Sequence, residues 1–288
     1  MKTHPTPPIA PAPVSHDTFH QLGGDLLVAR ELVKSYPVKG GAANTIFDGL
    51  DLTVRENEFV AILGHSGSGK STLLRMIAGL ESIDGGTIEV GGRRVTGPGK
   101  DRMMIFQHYA LLPWLSVEGN IRLAVDEVMG DRTRSERDEI VREHIAMVHL
   151  EAAADKRPHE LSGGMRQRVG IARALAVQPL LLLMDEPLGA LDPFTRARLQ
   201  DQILDLYYAR HQTIVLVTHD VDEALLMADR IVVLRANGSA SIGRIIEVPF
   251  DHPRDRKALR EDGRFQELRN ATLELLEEYF DEMSATDG

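Results

Sequence analysis

The chain has 288 residues, 43% of them hydrophobic and 26% charged, a composition that excludes collagen-like, wholly disordered and disulfide-scaffold proteins. Its 33 Lys plus Arg stand against 43 Asp plus Glu, and the resulting formal charge of -10 argues against nucleic acid as a partner. With no cysteine, disulfides, thiolate metal sites and cysteine catalysis are excluded together.

Residues 1–23 are predicted to be a disordered, proline-rich tail. Five prolines fall within the first sixteen residues, and the apolar core of a secretion signal is missing there. The longest apolar run, Leu180 to Met184, is far shorter than the roughly 20 residues that cross a bilayer. No membrane-spanning segment is therefore expected.

From residue 24 the pattern predicts a sheet. Short apolar segments are bounded by Gly, Asn or charged residues, as strands are. These segments read DLLVARELVKSY, TIFDGLDLTV, EFVAILG, TIEV and RMMIFQ. The third runs into GHSGSGKST and then LLRMIAGL, which indicates a strand, a glycine-rich loop and a helix in that order.

Residues from about 108 to 178 favour an inserted helical subdomain. Its clearest element is the amphipathic stretch around RSERDEIVREH, whose apolar positions are Ile140, Val141, Ile145 and Val148. After it, strands and helices alternate: LLLLM, a helix from about Pro193 to Ala209, TIVLV, DVDEALLMAD and IVVL. This alternation predicts a mostly parallel, doubly wound α/β sheet, and Asn237-Gly238 predicts a closing hairpin.

The glycine-rich loop fits GxxxxGK[ST], a phosphate-binding pattern. Its backbone N–H groups would wrap phosphate at a helix N-terminus, while Lys70 supplies a positive charge and Ser71 a hydroxyl for magnesium. The residues predicted to bind nucleotide here are Gly64, His65, Ser66, Gly67, Ser68, Gly69, Lys70, Ser71 and Thr72.

Two further motifs carry chemistry. LLLLMDEP ends a buried strand with Asp185, suited to hold magnesium through water, and Glu186, suited to orient or deprotonate an attacking water. LSGGMRQR opens an apolar-periodic helix with Ser162 as N-cap, and Gly163 and Gly164 allow a ligand close to the backbone. This second anion site makes sense if it closes on nucleotide held by another subunit.

Together these motifs resemble ATP-binding cassette (ABC) transporter ATPases over nearly all of residues 25–260. The matching segments are GHSGSGKST, Gln107, LSGGMRQR, LLLLMDEP, LGALD and His219. The resemblance implies the phosphate-loop NTPase fold, a doubly wound, mostly parallel sheet with an antiparallel β subdomain and an inserted helical subdomain. It implies a main domain over 24–252 and a C-terminal helical extension over 253–288.

The same resemblance implies an ATP hydrolase with ATP and Mg²⁺ at its site. Tyr36 would stack on adenine, Gln107 would sense magnesium and the membrane partner, and Asp192 would communicate between the two sites. His219 would contact the γ-phosphate and act in catalysis with Glu186 and Lys70, while Ser71, Gln107 and Asp185 would be the metal residues.

The implied partners are integral membrane permease subunits, a second ABC ATPase subunit and, indirectly, a solute-binding protein. The implied location is peripheral, on the cytoplasmic face of the inner membrane. A non-transport ABC ATPase is the alternative class, although the segment between Lys70 and Leu161 is too short for the coiled coil of repair members.

Details of the sequence resemble the nitrate, sulfonate and taurine importer branch. Met165 stands where most cassettes have Gln, and the segments around Phe106 to Val128 and Ile231 to Arg256 look most like nitrate/nitrite importer ATPases. The same motor role for taurine, aliphatic sulfonate, cyanate or bicarbonate remains open, because these segments would not touch the anion.

Two features keep two interpretations each. Trp114, the only tryptophan, belongs either to the core of the helical subdomain or to a groove that receives a helix of the membrane subunit. Phe265, Leu268, Thr272, Leu275 and Tyr279 recur at helical spacing near the C-terminus. That helix packs either on its own domain or against a regulatory or subunit partner.

Overall fold

The computed structural model describes residues 24–38, 43–107, 110–189, 191–237 and 239–286. The predicted N-terminal tail, and Gly238 of the predicted hairpin, lie outside these ranges. Within the described residues, no helix combines the length and apolar character that crossing a membrane requires.

Ten strands of the described chain form one sheet, in the order β5-β4-β1-β2-β10-β9-β3-β8-β7-β6. Their bounds are β1 Asp25–Tyr36, β2 Asn44–Arg55, β3 Phe59–Leu63, β4 Gly85–Val90, β5 Arg93–Arg94, β6 Arg102–Ile105, β7 Leu181–Asp185, β8 Thr213–Val217, β9 Arg230–Asn237 and β10 Ser239–Glu247. Strands β9, β3, β8, β7 and β6 run parallel, whereas β5, β4, β1 and β2 pair antiparallel. The sequence did not predict the two-residue strand β5.

The helices described are α1 Lys70–Ala78, α2 Val117–Val128, α3 Arg134–Met147, α4 Gly163–Ala176, α5 Pro193–Arg210, α6 Val221–Met227, α7 Arg256–Glu261 and α8 Gly263–Thr286. Two short 3-10 turns, Glu151–Ala153 and Pro158–Glu160, precede α4. Strand β9 turns back antiparallel into β10, with Asn237 opposite Ser239, as the predicted hairpin requires.

Both faces of the parallel strands are buried, as a doubly wound sheet demands. Along β3, Phe59, Ala61 and Leu63 join the hydrophobic cluster that includes α5, α6 and α8. Val60 and Ile62 point the opposite way, into a cluster with α1 and the antiparallel strands. The predicted α/β architecture with an antiparallel section is confirmed.

Helices α2, α3 and α4 lie between β6 and β7 in the chain and surround a hydrophobic cluster of their own. Val141 and Ile145 of the predicted amphipathic helix are buried there with Ile121 and Val169. Because β6 and β7 are parallel neighbours, this helical segment is the crossover between them.

The topology brings three loops to one edge of the sheet. Strands β3, β8 and β7 are adjacent and parallel, so their carboxyl ends meet there. The ladder continues past the strands, because Thr218 N donates to Ile62 O at 3.2 Å and Glu186 N to Val217 O at 2.9 Å. Ligands of open α/β sheets bind outside this edge.

Candidate active site

The loop between β3 and α1 is shaped to present backbone N–H groups. Gly67 and Gly69 have φ of 86° and 84°, in the left-handed region that favours glycine. At Gly69 an added Cβ would lie 2.6 Å from the Phe47 ring and 2.8 Å from Ile46 Cγ2, so only glycine fits between the loop and β2. The resulting concave backbone has the form of a nest, the kind of conformation that suits an anion.

Lys70 closes the loop from inside. Its Nζ donates to the carbonyls of Gly64 and His65, both at 2.7 Å, and Ser68 N also donates to the His65 carbonyl at 3.1 Å. Burial lowers the pKa of Lys70 below its ordinary value of 10.5, while the nearby carboxylates of Glu186 and Asp185 act in the opposite direction. The Lys70 amine is therefore held inside the loop by two backbone carbonyls.

Ser71 and Asp185 meet at the side of the loop. The Ser71 hydroxyl donates to Asp185 Oδ1 at 2.8 Å, which joins the start of α1 to the end of β7. Burial raises the pKa of Asp185 above its ordinary value of 3.8, and the Ser71 hydrogen bond acts against this shift. These two oxygens are hard ligands of the kind that Mg²⁺ prefers.

Glu186 stands next to them with two polar neighbours. Its Oε2 accepts from Gln107 Nε2 at 3.2 Å and lies 3.4 Å from Nδ1 of His219. The loops after β6, β7 and β8 therefore converge on one carboxylate. Of the predicted catalytic residues, Lys70, Glu186 and His219 lie together at this edge of the sheet.

Tyr36 ends β1 opposite Asn44 of β2, the strand whose Ile46 and Phe47 back the loop. The Lys34 ammonium lies 5.0 Å from the centre of the Tyr36 ring, and the ring remains partly exposed to solvent. No local pattern singles out Ile46 or Phe47, because their contact with the loop depends on the sheet bringing β2 against it.

The LSGGMRQR segment lies on a different element, α4. Ser162 is the N-cap, as predicted, and its Oγ accepts from Met165 N at 3.3 Å. A Cβ on Gly164 would lie 3.0 Å from Thr195 Cγ2, so this helix start adjoins the start of α5 rather than the phosphate loop.

Asp192 caps α5 at that junction. Its Oδ1 accepts from Phe194 N and Thr195 N, both at 3.1 Å, and the bonds to Thr195 lower the pKa of Asp192. Asp192 therefore stands at the start of α5, the helix start that adjoins Gly164 of α4.

The residues present suit nucleotide and magnesium. The loop offers backbone donors, a buried cation and the buried hydroxyl of Ser68, whose Oγ has no partner among the described groups. No group of three or more His, Cys, Asp or Glu suited to a metal occurs in the described ranges. The positive support for magnesium is the pair of oxygens on Ser71 and Asp185, because Mg²⁺ sites use one or two protein oxygens together with phosphate and water.

The sequence profile of the ABC transporter family matches residues 47–189. Over 269 residues the chain is 45% identical to bicarbonate transport ATP-binding protein CmpD of Synechococcus elongatus, covering 93% of this chain and 94% of CmpD. The chain belongs to the ABC transporter ATPase family. It is accordingly an ATP-binding, ATP-hydrolysing protein.

Two other similarities support this family. Nitrate import ATP-binding protein NrtC of the same organism is 51% identical over 243 residues, covering 84% of this chain and 37% of NrtC. A dimeric structure of the ATP-binding cassette MJ0796, in a post-hydrolysis state with ADP and Pi, is 30% identical with a TM-score of 0.70. That match covers 77% of this ABC ATPase and 98% of the solved chain.

Sequence reasoning missed one buried polar network of this ABC ATPase. Asp229, before β9, accepts from Phe59 N, Tyr207 Oη and His252 Nε2, each at 2.7 Å. Tyr208 Oη lies 2.8 Å from the other ring nitrogen of His252. Its members are distant in sequence, so no local pattern could reveal it.

Proposed function

We propose that this ABC ATPase is the motor subunit of an importer that takes up a small inorganic anion. The observation that carries the proposal is the convergence of Lys70, Ser71, Asp185 and Glu186 at one sheet edge, while Ser162 opens a helix elsewhere. Such an arrangement suits two subunits that close on ATP between them. The dimer formed by the cassette MJ0796 supports this reading.

Within this proposal, ATP phosphates bind the loop from Gly64 to Thr72, and Lys70 neutralises their charge. Ser71, Asp185 and Gln107 would hold Mg²⁺, which offsets charge on the reacting phosphate when bound. Tyr36 stacks on the adenine.

Glu186 orients the attacking water and accepts its proton, because its carboxylate lies close enough to Lys70 and Asp185 to act on both charges. His219, 3.4 Å away, lies where it can contact the terminal phosphate and keep Glu186 in place. Ser162, Gly163 and Gly164 act on nucleotide bound to the other subunit, and Asp192 links the two sites.

The partners proposed are integral membrane permease subunits, a second copy or sibling of this ATPase and, indirectly, a solute-binding protein. The chain would act on the cytoplasmic face of the cell membrane, peripherally. The ATPase domain would comprise residues 24–252, with the helical subdomain over about 108–178 and the C-terminal extension over 253–288.

For the substrate, we propose nitrate with nitrite, on the 51% identity to NrtC. Bicarbonate is the second candidate, because the alignment with CmpD covers 94% of that protein at 45% identity. Both are small planar oxyanions, and the described site would not contact either of them. Taurine, aliphatic sulfonates and cyanate are the remaining candidate substrates.

Tracer uptake in a strain that lacks this chain tests the proposal. High-affinity nitrate uptake should be abolished and restored by the wild-type chain, but not by Glu186→Gln expressed at the same level. If nitrate uptake is retained and bicarbonate uptake is lost, the proposed substrate is wrong and bicarbonate takes its place. The proposal that the chain drives an importer would then stand. Normal uptake of every small anion tested would overturn the importer.

A further inference from the structure

The C-terminal helix α8 reaches the phosphate loop. His65 Nε2 lies 2.6 Å from the carbonyl oxygen of Leu276, and because a carbonyl only accepts, the ring nitrogen is the donor. One turn further along α8, the Phe280 ring packs on the His65 ring with 4.8 Å between centroids. A residue of the nucleotide loop is thus held by a helix residue 211 positions away in the sequence.

Helix α8 is anchored independently of this contact. Tyr279 is buried against β10, where a Cβ on Gly243 would lie 2.5 Å from its ring. Arg235 of β9 pairs with Glu282 at 2.6 Å. At its other end, Arg269 forms two hydrogen bonds to Asp222 of α6, at 2.7 and 3.1 Å.

His65 connects this anchored helix to the interior of the loop. Its side chain contacts α8, while its carbonyl accepts from Lys70 Nζ and from Ser68 N. A shift of α8 would therefore move the same peptide that orients the lysine ammonium. Binding is tighter when the binding groups are ordered beforehand, since less conformational freedom is lost.

We propose that α8 positions the phosphate loop through His65, so that contact with Leu276 and Phe280 sets the affinity of this ATPase for nucleotide. The inference rests on the proposed role of the loop in binding ATP. It assigns His65 and Phe280 as positioning residues and makes the C-terminal helix part of the nucleotide site.

Calorimetric titration of the full-length chain with ADP and Mg²⁺ tests this. Phe280→Ala changes no residue of the loop itself. It should weaken nucleotide binding about two- to tenfold, the range expected for loss of a ring contact. Phe280→Leu, which keeps apolar bulk but lacks the ring, should fall between it and wild type. His65→Ala should weaken binding at least as much, and His65→Gln, which retains a donor at the same reach, should recover part of the loss.

Two comparisons separate positioning from general destabilisation. Leu268→Ala removes an apolar contact of α8 about 12 Å along the helix from Leu276. It should lower thermal stability and leave nucleotide affinity unchanged. The double variant His65→Ala/Phe280→Ala should bind no more weakly than His65→Ala alone, because both changes break one contact.

Wild-type affinity in Phe280→Ala would overturn the proposal, as would equal weakening by Leu268→Ala. Lys70→Ala distinguishes failure of the underlying site assignment. If Lys70→Ala binds nucleotide normally, the loop is not the binding site; if it loses binding while Phe280→Ala does not, only the role of α8 is wrong.

Discussion

At the scale of single residues, Glu186 shows how a backbone conformation assembles chemistry. Successive side chains of a strand point to opposite faces, so Asp185 and Glu186 would diverge if β7 continued. Strand β7 ends at Asp185, and Glu186 takes φ of 45°, in the left-handed region. This turn brings its carboxylate to Gln107 and His219, on the same side as Ser71. Such strain in a non-glycine residue is typical of functional sites.

Replacing Glu186 with Gln should leave ATP binding intact and lower steady-state hydrolysis by about two to four orders of magnitude, as expected for loss of a general base. Gln keeps the size of the side chain and lacks a basic oxygen. Phosphate release and nucleotide binding, measured on the same preparation, check both parts. Near-normal ATP hydrolysis by Glu186→Gln would show that another residue is the general base.

The environment of Asp229 leads us to expect that the free energy of unfolding depends on pH. Burial alone would raise its pKa, but the hydrogen bond and charge of His252, the Phe59 N–H and Arg254 together hold it below the ordinary value of 3.8. A lowered folded-state pKa means that the ionised carboxylate stabilises the fold above the unfolded value. That contribution is lost as the pH falls through the folded value.

Asp229→Asn should therefore reduce the free energy of unfolding at pH 7 by about 1–3 kcal/mol, since buried donors lose a charged acceptor. The difference from wild type should shrink as the pH falls below 4. Urea unfolding at several pH values measures it, with the exposed Asp48→Asn as the control. An unchanged difference at low pH would contradict the assignment.

At the scale of elements, the helix starts follow from local chemistry. Thr133 and Glu136 form a capping box at α3, and Ser116 caps α2. Ser162 and Asp192 cap α4 and α5 in the same way. These last two starts lie side by side, which local chemistry does not require.

The two predicted anion sites should separate by mutation. Lys70→Ala should weaken nucleotide binding by the isolated chain, because it removes the charge inside the loop. Ser162→Arg should leave that binding intact and abolish ATP-driven dimerisation, because the new side chain would obstruct the other subunit's nucleotide.

Calorimetry and size-exclusion chromatography with ATP, in the Glu186→Gln background that slows hydrolysis, measure the two effects. Thr133→Arg places the same side chain at another helix N-cap and serves as the control for folding. Loss of monomer affinity in Ser162→Arg would show that this segment serves its own subunit's site.

At the scale of the whole molecule, Trp114 identifies a candidate docking surface. The residue is 66% exposed, so it is not part of the core of the helical segment, and Leu123 of α2 is also exposed. The nearby Leu111 packs partly against the cluster formed by α2, α3 and α4. Contiguous exposed apolar patches mark partner contacts, and we predict that Trp114 belongs to one that docks on the permease.

Trp114→Glu should detach the ATPase from the permease while leaving nucleotide binding unchanged, because a charge would be buried at the proposed contact. Co-purification from membranes measures the attachment. Leu180→Glu is the matched control, since Leu180 is exposed before β7, at the strand end opposite the active-site edge. Equal recovery of Trp114→Glu and wild type would place the docking surface elsewhere.

The sequence alone determined much of this ABC ATPase, because several of its signals are local. Alternating strands and helices predicted the mostly parallel sheet. In the loop from Gly64 to Thr72, the glycine spacing and Lys70 predicted phosphate binding. Ser162 was recognisable as a helix cap for the same reason. The roles of individual site residues stay predictions, to be tested as above.

Tertiary structure decided what depends on distant residues meeting. Packing exposed Trp114, set Phe47 behind Gly69, and buried Asp229 among donors from three separate segments. It also docked the C-terminal helix on its own domain, where Leu276 and Phe280 meet His65. The amphipathic spacing of that helix showed that one face must be covered, but burial of apolar area is non-directional. Only the tertiary structure shows that the covered face of α8 lies against the phosphate loop.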